Sequence, residues 1–419
     1  MEPGRGVRRP VRSVCSGLMA AMVLAVSVSL PKGCNLSLVR GRPADLDWLA
    51  NRLPRLHTNL FLALPEAEYR QALADLRQRV ADMDDEQYWV TLWQLLARVG
   101  DPNTTLSPPS DHPLQQRYPI ALKSFPEGVY VVSATSDAAD LLGCRLVSVD
   151  GVPVAEAMAR TATLAASTAS PARVEAMAAN LLSSPAVVYG LGVARRKDAA
   201  AFVFELAGGS QKEAVLEALG LQGTGWTLRG PRYLVQGSGG SIWWDYVEAS
   251  KVLYVGCNSF RDDQAAAVGA LRIFLDTRPV ERIVVDMRRN LGNETAEAFP
   301  LVDLLAGRTE VVEGGCVFVL VGQGTAGSAV RQAYEFRRRT GAIFFGEPSG
   351  GRLSFHGEVR AEPLPYSGLP VRYSTQYFET AAGEPPAFFE PDCLVRQTAA
   401  DYFAGRDTAW EAVLAHGRK

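Results

Sequence analysis

The chain has 419 residues, of which 47% are hydrophobic and 21% charged. This composition is typical of a soluble globular protein with room for two or three domains. The 43 basic and 45 acidic residues leave a formal net charge of −2, which gives no electrostatic basis for nucleic-acid binding. With four scattered histidines and no Cys-x-x-Cys pair, we expect neither a metal site nor a cofactor.

Residues 1–34 have the pattern of an export signal. Several arginines precede an apolar run over residues 15–30, which is short for a membrane span. The run ends at Gly33-Cys34, which resembles a bacterial lipoprotein cleavage site, although the two preceding residues depart from that pattern. The alternative is an uncleaved anchor helix. Either way we expect export to the cell envelope or beyond, with membrane attachment if Cys34 carries a lipid.

The cysteines do not suggest a disulfide framework. Cys15 and Cys34 belong to the export segment, and the others stand singly beside apolar stretches: Cys144, Cys257, Cys316 and Cys393. Isolated cysteines in such surroundings are typical of buried thiols that pack as small apolar groups.

Residues 35–112 are predicted to be helical. Apolar residues recur at helical spacing over Glu66–Val80 and over Asp85–Val99. Asp84 with Gln87 has the spacing of a capping box at the start of the second helix. Gly100–Asn103 then ends the helix, because this stretch contains glycine, proline and asparagine.

Residues 113–240 change to a strand pattern. Val129–Val132 and Arg145–Val149 are rich in β-branched residues, and the second run ends in the turn pair Asp150-Gly151. The stretch Leu146–Val154 resembles the core hairpin of a PDZ domain. Such domains bind peptide C-termini by strand addition, so we expect either a peptide C-terminus as partner or a purely structural hairpin.

Residues 241–419 alternate between strands and helices. The predicted strands are Val252–Val255, Ile283–Asp286, Val317–Val321 and Ile343–Phe345, and the predicted helices lie near Gln264–Asp276, Thr295–Leu305 and Ser328–Arg339. This alternation predicts βαβ units around a buried parallel sheet. The whole chain is therefore expected to be an α/β protein of several domains (α+β in its overall arrangement), whose chemistry lies at the carboxyl ends of the parallel strands.

Several motifs together resemble the S41 serine peptidases, also called tail-specific or C-terminal processing proteases. Asp286 to Gly292 matches the family's Asp-x-Arg-x-Asn-x-Gly motif, and Gly346 to Gly351 matches its Gly-Glu-Pro-Thr-x-Gly turn. Glu390-Pro391-Asp392 and Gly100-Asp101 also fit in order. The resemblance implies a helical N-terminal region, a PDZ-like β region and a C-terminal crotonase/ClpP-like domain.

In that family a serine attacks the peptide bond and a lysine takes its proton, and backbone N–H groups stabilise the oxyanion. The resemblance places the nucleophile at Gly327 and the lysine at Arg352. Glycine has no nucleophile, and arginine stays protonated and cannot act as a base. Both catalytic positions are therefore expected to be degenerate.

The resemblance also implies an oxyanion site made by backbone N–H groups at Gly292, Asn293 and Ser328. Asn293 replaces a second glycine, which matters little for a backbone donor. Asn103 replaces a histidine that many relatives carry, so we regard it as a candidate binding residue.

Ser328 lies beside the lost nucleophile. It is either an unusual nucleophile or a helix N-cap, and the latter is favoured because one residue along a helix rotates the side chain by about 100°. His356 could orient a substrate carbonyl, but a half-exposed structural histidine is the expectation its neighbours favour.

Three functions follow as hypotheses. The favoured one is a pseudopeptidase that binds a polypeptide without cleaving it. The second is an active serine endopeptidase that uses Ser328. The third is a protein that binds a non-peptide ligand, because the wider family includes retinoid-binding members without peptidase activity.

Overall fold

The computed structural model describes residues 41–417 except 221–224, 236–239, 260–263, 293–298 and 380–386. The helices are α1 (Arg42–Asn51), α2 (Leu53–Leu56), α3 (Glu66–Arg79), α4 (Asp85–Arg98), α5 (Val154–Ala162), α6 (Pro171–Leu181), α7 (Pro185–Gly190), α8 (Arg232–Val235), α9 (Gln264–Thr277), α10 (Pro300–Ala306), α11 (Thr309–Glu313), α12 (Ser328–Thr340), α13 (Ala399–Phe403) and α14 (Thr408–Ala415). Short 3₁₀ turns occupy Pro113–Gln115, Ser136–Leu141 and Glu248–Ser250.

The strands are β1 (Thr105–Leu106), β2 (Ile120–Phe125), β3 (Gly128–Ala134), β4 (Arg145–Val149), β5 (Val152–Pro153), β6 (Ala199–Glu205), β7 (Gln211–Glu217), β8 (Thr227–Leu228), β9 (Ile242–Val247), β10 (Val252–Cys257), β11 (Arg282–Asp286), β12 (Val317–Val321), β13 (Ile343–Gly346), β14 (Phe355–Pro363), β15 (Pro370–Phe378) and β16 (Cys393–Leu394). Within the described ranges they form three sheets.

The N-terminal helices follow the predicted pattern. In α4 the Asp84 carboxylate accepts from the backbone N–H of Gln87, and the Gln87 side chain accepts from the backbone N–H of Asp84. Both bonds of the capping box are therefore present, and they satisfy donors that a helix start leaves free. The apolar stripes of α3 and α4 face a common core with α1 and α2. The predicted helices and cap are confirmed.

The PDZ-like region is an antiparallel sheet in the order β2-β3-β4-β6-β7, with β5 paired to β4 and β8 paired to β3. Asp150 and Gly151 join β4 to β5 with φ angles of 46° and 82°. Positive φ at both central residues is the hallmark of a type I′ hairpin turn, which favours glycine at the second position. The predicted hairpin is confirmed, and Val154 already belongs to α5.

The C-terminal region is a six-stranded sheet in the order β16-β13-β12-β11-β10-β9. Strands β10 to β13 and β16 run parallel, and β9 pairs antiparallel at the edge. The central strands are buried on both faces, as in a parallel sheet covered by helices. The predicted βαβ alternation is confirmed. Of the helix expected over Thr295–Leu305, the structure describes Pro300–Ala306, and residues 293–298 lie outside the described ranges.

A third sheet, in the order β1-β15-β14, joins segments far apart in sequence. Its strands β14 and β15 form a hairpin of nine-residue strands, and β1 adds to β15 through Thr105 and Leu106. Val371 and Tyr373 of β15 pack into the core of the N-terminal helices. The C-terminal half of the chain thus completes the hydrophobic core of the N-terminal half.

The four described cysteines carry free thiols, but they are not all buried. Cys144 and Cys257 are buried, whereas Cys316 and Cys393 are partly exposed, so the expectation of burial was wrong for the latter two. Cys15 and Cys34 lie outside the described residues. Across the described ranges, the helices are too short or too polar to cross a membrane.

Candidate active site

The candidate site is built on a sharp strand–turn–helix connection at the carboxyl end of β12. The strand is fully buried and ends at Val321, and α12 begins at Ser328, with Gly327 as the helix N-cap. Gly327 has φ 54° and ψ −134°, a conformation that residues with a Cβ adopt only under strain. A strained strand-to-helix turn of this kind presents the nucleophile in enzymes with a nucleophile elbow. Residue 327 therefore occupies the apex of the elbow, and it carries no side chain.

Hydrogen bonds from two neighbouring loops hold this elbow. The Thr325 hydroxyl donates to the Met287 carbonyl over 2.9 Å, and the Thr325 carbonyl accepts from the N–H groups of Gly350 and Gly351 at 2.9 and 3.1 Å. The N–H of Ala326 donates to the Asn290 carbonyl over 3.1 Å. The loops after β11, β12 and β13 are thus fastened together at the carboxyl edge of the sheet, where α/β proteins place their ligands.

The Gly292 loop packs directly against the first turn of α12. A Cβ on Gly292 would lie 2.6 Å from the Ala326 carbonyl oxygen and 2.7 Å from the Ser328 nitrogen, so only glycine fits. The N–H of Gly292 donates to the Asn290 side-chain oxygen over 2.9 Å. This N–H is therefore engaged within its own loop, although the family resemblance assigned it to the oxyanion. Asn293, the second predicted donor, lies outside the described residues.

Ser328 is the first residue of α12 and is only 1% exposed. The expectation that Ser328 caps the helix is wrong, because Gly327 holds the N-cap position. The Ser328 hydroxyl oxygen lies 3.0 Å from the point where a Gly292 Cβ would be. It is therefore covered by the Gly292 loop, whereas a nucleophile must face a cleft that admits substrate.

Arg352 comes from the loop after β13. A Cβ on the preceding Gly351 would lie 3.0 Å from the Gly327 nitrogen, so the backbone of this loop contacts the elbow. The Arg352 side chain is exposed, and its guanidinium lies 5.8 Å from the centre of the Phe388 ring. Gly292, Gly327, Ser328 and the loop of Arg352 are therefore brought together in space.

A second cluster joins Asn103 and His356, the two predicted binding residues. The Asn103 side-chain amide donates to the His356 carbonyl over 2.7 Å. His356 is buried, at 7% exposure, which corrects the expectation of a half-exposed histidine. Its Nε2 atom is buried and finds no hydrogen-bond partner within the described part of the chain. Burial lowers the pKa of His356, and the charge of the nearby Asp101 carboxylate opposes this shift.

The sequence analysis missed His57 and Asp101 as partners in this cluster. The His57 Nε2 lies 3.1 Å from the Asp101 carboxylate, and the His57 Nδ1 accepts from the backbone N–H of Asn59 over 2.9 Å. This second bond assigns the proton to Nε2, which donates to Asp101. Burial by itself raises the pKa of Asp101, but the hydrogen bonds from His57 and Thr104 bring it below its usual value. Both nitrogens of His57 are thus used internally, so His57 fastens the cluster and is not free to act as a base.

The sequence analysis also missed Lys123, which approaches the elbow from the PDZ-like sheet. Gln323 lies in the loop between β12 and α12. With the Gln323 amide turned so that its oxygen faces Lys123, the ammonium donates to that oxygen over 3.3 Å and the amide nitrogen donates to the Ala172 carbonyl over 3.0 Å. Burial lowers the pKa of Lys123, and the charge of Glu347 opposes this. Burial likewise raises the pKa of Glu347, opposed by Lys123. The sequence feature that could have indicated Lys123 is a lysine within the largely apolar run Ile120–Phe125.

The motif Asp-x-Arg-x-Asn-x-Gly supplies a buried ion triad. Arg288 donates to Asp286 and to Asp407, with its shortest contacts at 2.6 and 2.7 Å. Tyr254 adds a hydrogen bond to Asp286 over 2.5 Å. Arg288 therefore fastens the end of β11 to the start of α14, which gives it a structural role. Across the described ranges, no group of three or more histidine, cysteine, aspartate or glutamate side chains is placed to bind a metal.

No protein-family model matches the sequence, and no curated protein matches it either. Among solved structures, mature CPAF complexed with lactacystin matches with a TM-score of 0.59 and 12% identity, covering 88% of this chain and 96% of that chain. A second structure of mature CPAF gives a TM-score of 0.57 at 12% identity, over 86% of this chain and 94% of that chain. The photosystem II D1 C-terminal processing protease matches more weakly, with a TM-score of 0.41 and 15% identity over 88% and 99% of the two chains. CPAF is an S41-type protease, so the chain has the S41 peptidase fold that its motifs predict.

Proposed function

We propose that this S41-fold protein is a pseudopeptidase, which binds an extended polypeptide at the surface around Gly327 without cleaving it. One observation carries the proposal. The backbone at residue 327 keeps the strained geometry of a nucleophile elbow, with φ 54° and ψ −134°, but the residue is glycine. Nucleophilic catalysis needs a hydroxyl or thiol at that apex beside a base.

The replacement of the family lysine by Arg352 supports the same conclusion. A guanidinium stays charged at physiological pH and cannot accept the proton of a serine. Lys123 does not restore catalysis, because Gly327 offers no hydroxyl for a base to deprotonate. The elbow and its two supporting loops are nevertheless held by hydrogen bonds, so the surface around them is kept for binding.

The experiment compares hydrolysis with binding. We expect fluorescein-labelled β-casein to bind the protein, with no cleavage over hours and no labelling of the protein by a fluorophosphonate probe. The matched variant is Gly327→Ser combined with Arg352→Lys, which restores both family groups. A gain of hydrolysis in that variant supports an otherwise intact cleft. Failure of the wild-type protein to bind β-casein refutes polypeptide binding.

The hydroxyl of Ser328 favours a second candidate, an active serine endopeptidase. Its place beside the elbow apex supports this, whereas its 1% exposure opposes it. Ser328→Ala separates the two functions. Hydrolysis of β-casein that is present in the wild-type protein and absent in Ser328→Ala would establish the peptidase and overturn the pseudopeptidase.

We further propose that residues 1–34 direct the chain out of the cytoplasm and that Cys34 is the lipid attachment point. The arginines before the apolar run, and the Gly33-Cys34 pair after it, support this placement. Expression of the full chain in a bacterial host with radiolabelled palmitate tests it. Label that persists in Cys34→Ser would overturn lipidation at this residue.

A further inference from the structure

An edge of the PDZ-like sheet is occupied by a short segment of the chain itself. Strand β3 is paired with β2 along one edge, from Gly128 to Ala134. On its other edge, β4 pairs with β3 at Tyr130. The last residues of β3 therefore extend past β4, and there the two-residue strand β8 adds antiparallel, with Ser133 opposite Leu228 and Ala134 opposite Thr227.

Strand β8 is held on the edge through its own backbone groups. The N–H of Arg229 donates to the Val132 carbonyl over 3.1 Å, and the Ser133 hydroxyl donates to the Thr227 carbonyl over 2.9 Å. These bonds depend little on which side chains β8 carries. The edge can therefore accept any chain that adopts an extended conformation in the same direction.

The side chains of β8 contribute little to its attachment. Thr227 is exposed, Leu228 is 49% exposed, and the preceding Trp226 is 41% exposed. Apolar burial is the main source of attachment between protein segments, and these residues leave about half of their surface in water. By contrast, β6 and β7 of the same sheet pair over seven residue pairs. Strand β8 is thus held on the edge of β3 by two residue pairs and little apolar burial.

The edge of β3 beneath β8 is buried. Val132, Ser133 and Ala134 are 8%, 7% and 0% exposed. If β8 leaves, the N–H and carbonyl groups along this edge lose partners that an incoming strand can replace. This exchange leaves the number of backbone hydrogen bonds nearly unchanged, and a longer strand with better-packed side chains gains affinity.

We propose that the Val132–Ala134 edge of β3 is a docking site for an extended polypeptide segment, and that β8 occupies this site until the segment displaces it. The inference rests on the proposed function, polypeptide binding, and adds the place where one segment of the polypeptide binds. Strand β8 is a built-in competitor for that site.

A disulfide lock tests the displacement. Ser133 and Leu228 face each other as a non-hydrogen-bonded antiparallel pair, because Arg229 donates to Val132. Such pairs have closely spaced Cα atoms that suit a disulfide. We expect oxidised Ser133→Cys/Leu228→Cys protein to bind fluorescein-labelled β-casein at least about tenfold more weakly in fluorescence anisotropy, and reduction to restore binding. Wild-type protein treated with the same oxidant controls for the native thiols.

A matched pair of variants tests the opposite direction. Arg229→Pro removes the N–H that donates to Val132, whereas Arg229→Ala keeps it. Loss of one such bond is expected to strengthen β-casein binding by about fivefold in the proline variant, with the alanine variant equal to wild type. Circular dichroism of all variants checks that the sheet remains folded.

The outcomes separate this inference from the function on which it rests. If the wild-type protein binds β-casein and neither the lock nor Arg229→Pro changes the affinity, the docking site is overturned while polypeptide binding stands. If the wild type, the reduced lock and Arg229→Pro all fail to bind, polypeptide binding is overturned and the docking site with it. Weaker binding by the oxidised lock together with tighter binding by Arg229→Pro supports the proposal.

Discussion

Replacement of Arg288 by methionine should destabilise the fold strongly, because it leaves two buried carboxylates without their cation. The guanidinium contacts both Asp286 and Asp407 at distances from 2.6 to 3.1 Å. Their side chains are only 6% and 4% exposed, so water cannot take the place of the guanidinium. Loss of one partner from a buried ion pair costs about 3–5 kcal/mol. We expect Arg288→Met to lose that much free energy of unfolding at pH 7 in urea denaturation.

The pH dependence of the loss identifies its cause. In the wild type, burial by itself would raise the pKa of Asp286, but the Arg288 charge and hydrogen bonds bring it below its usual value. The ionised Asp286 therefore stabilises the fold above its unfolded pKa of about 3.9, and this contribution is lost as the pH falls through the lower folded pKa. Without Arg288, burial dominates and raises the pKa of Asp286, so that the variant regains stability by taking up a proton. The difference in free energy of unfolding between wild type and variant should thus be smaller at pH 4 than at pH 7.

The matched control is Arg338→Met. Arg338 pairs with Glu335 on the surface of α12, and its side chain is 60% exposed. Exposed ion pairs contribute little to stability, so this variant should unfold like the wild type at both pH values. A loss below about 1 kcal/mol in Arg288→Met, or a loss that stays constant between pH 7 and pH 4, would refute the assignment of a buried triad.

Three further outcomes are expected. Because burial lowers the folded pKa of His356, stability should fall as the pH drops below the unfolded value of about 6.5; His356→Gln should flatten that fall between pH 7.5 and 5.5 in urea titrations, and an unchanged slope argues against it. Asp84→Ala removes the cap of α4 and should lower the free energy of unfolding by about 0.5–2 kcal/mol. Replacement of the exposed neighbour, Asp85→Ala, should change this free energy little, and equal effects of the two variants contradict the capping role. Gly327→Ser and Gly327→Ala should each cost about 1–3 kcal/mol, and a loss confined to serine would show that the backbone at this position is not the cause.

Local sequence patterns were sufficient for the regular elements. The spacing of apolar residues in α3 and α4, the capping pair at Asp84 and the Asp150-Gly151 turn each depend on residues close together in the chain. Helical periodicity, caps and type I′ turns are set by such neighbours. Runs of β-branched residues likewise predicted β10 to β13, since central parallel strands are buried on both faces.

Contacts between distant segments could not be predicted in the same way. The pairing of β1 with β15 joins Thr105 to Arg372, and the contact of Asn103 with His356 spans 253 positions. His356 was expected to be half exposed because its neighbours form a strand, but the N-terminal region covers it. Lys123 was missed because its neighbour Gln323 is 200 positions away in the chain, in the loop between β12 and α12.

The elbow shows how the two levels of information divide. By itself, the sequence matched Gly327 and Arg352 to the positions of the family's serine and lysine, because the motifs on either side occur in the family's order. The sequence also determined the strand and the helix on either side. Only the tertiary structure decided that Gly327 is the N-cap in a conformation strained for other residues, that Ser328 is buried under the Gly292 loop, and that β8 covers an edge of β3. The physical reason is that identity and periodicity are local properties of a chain, whereas burial and strand pairing depend on which distant segments meet.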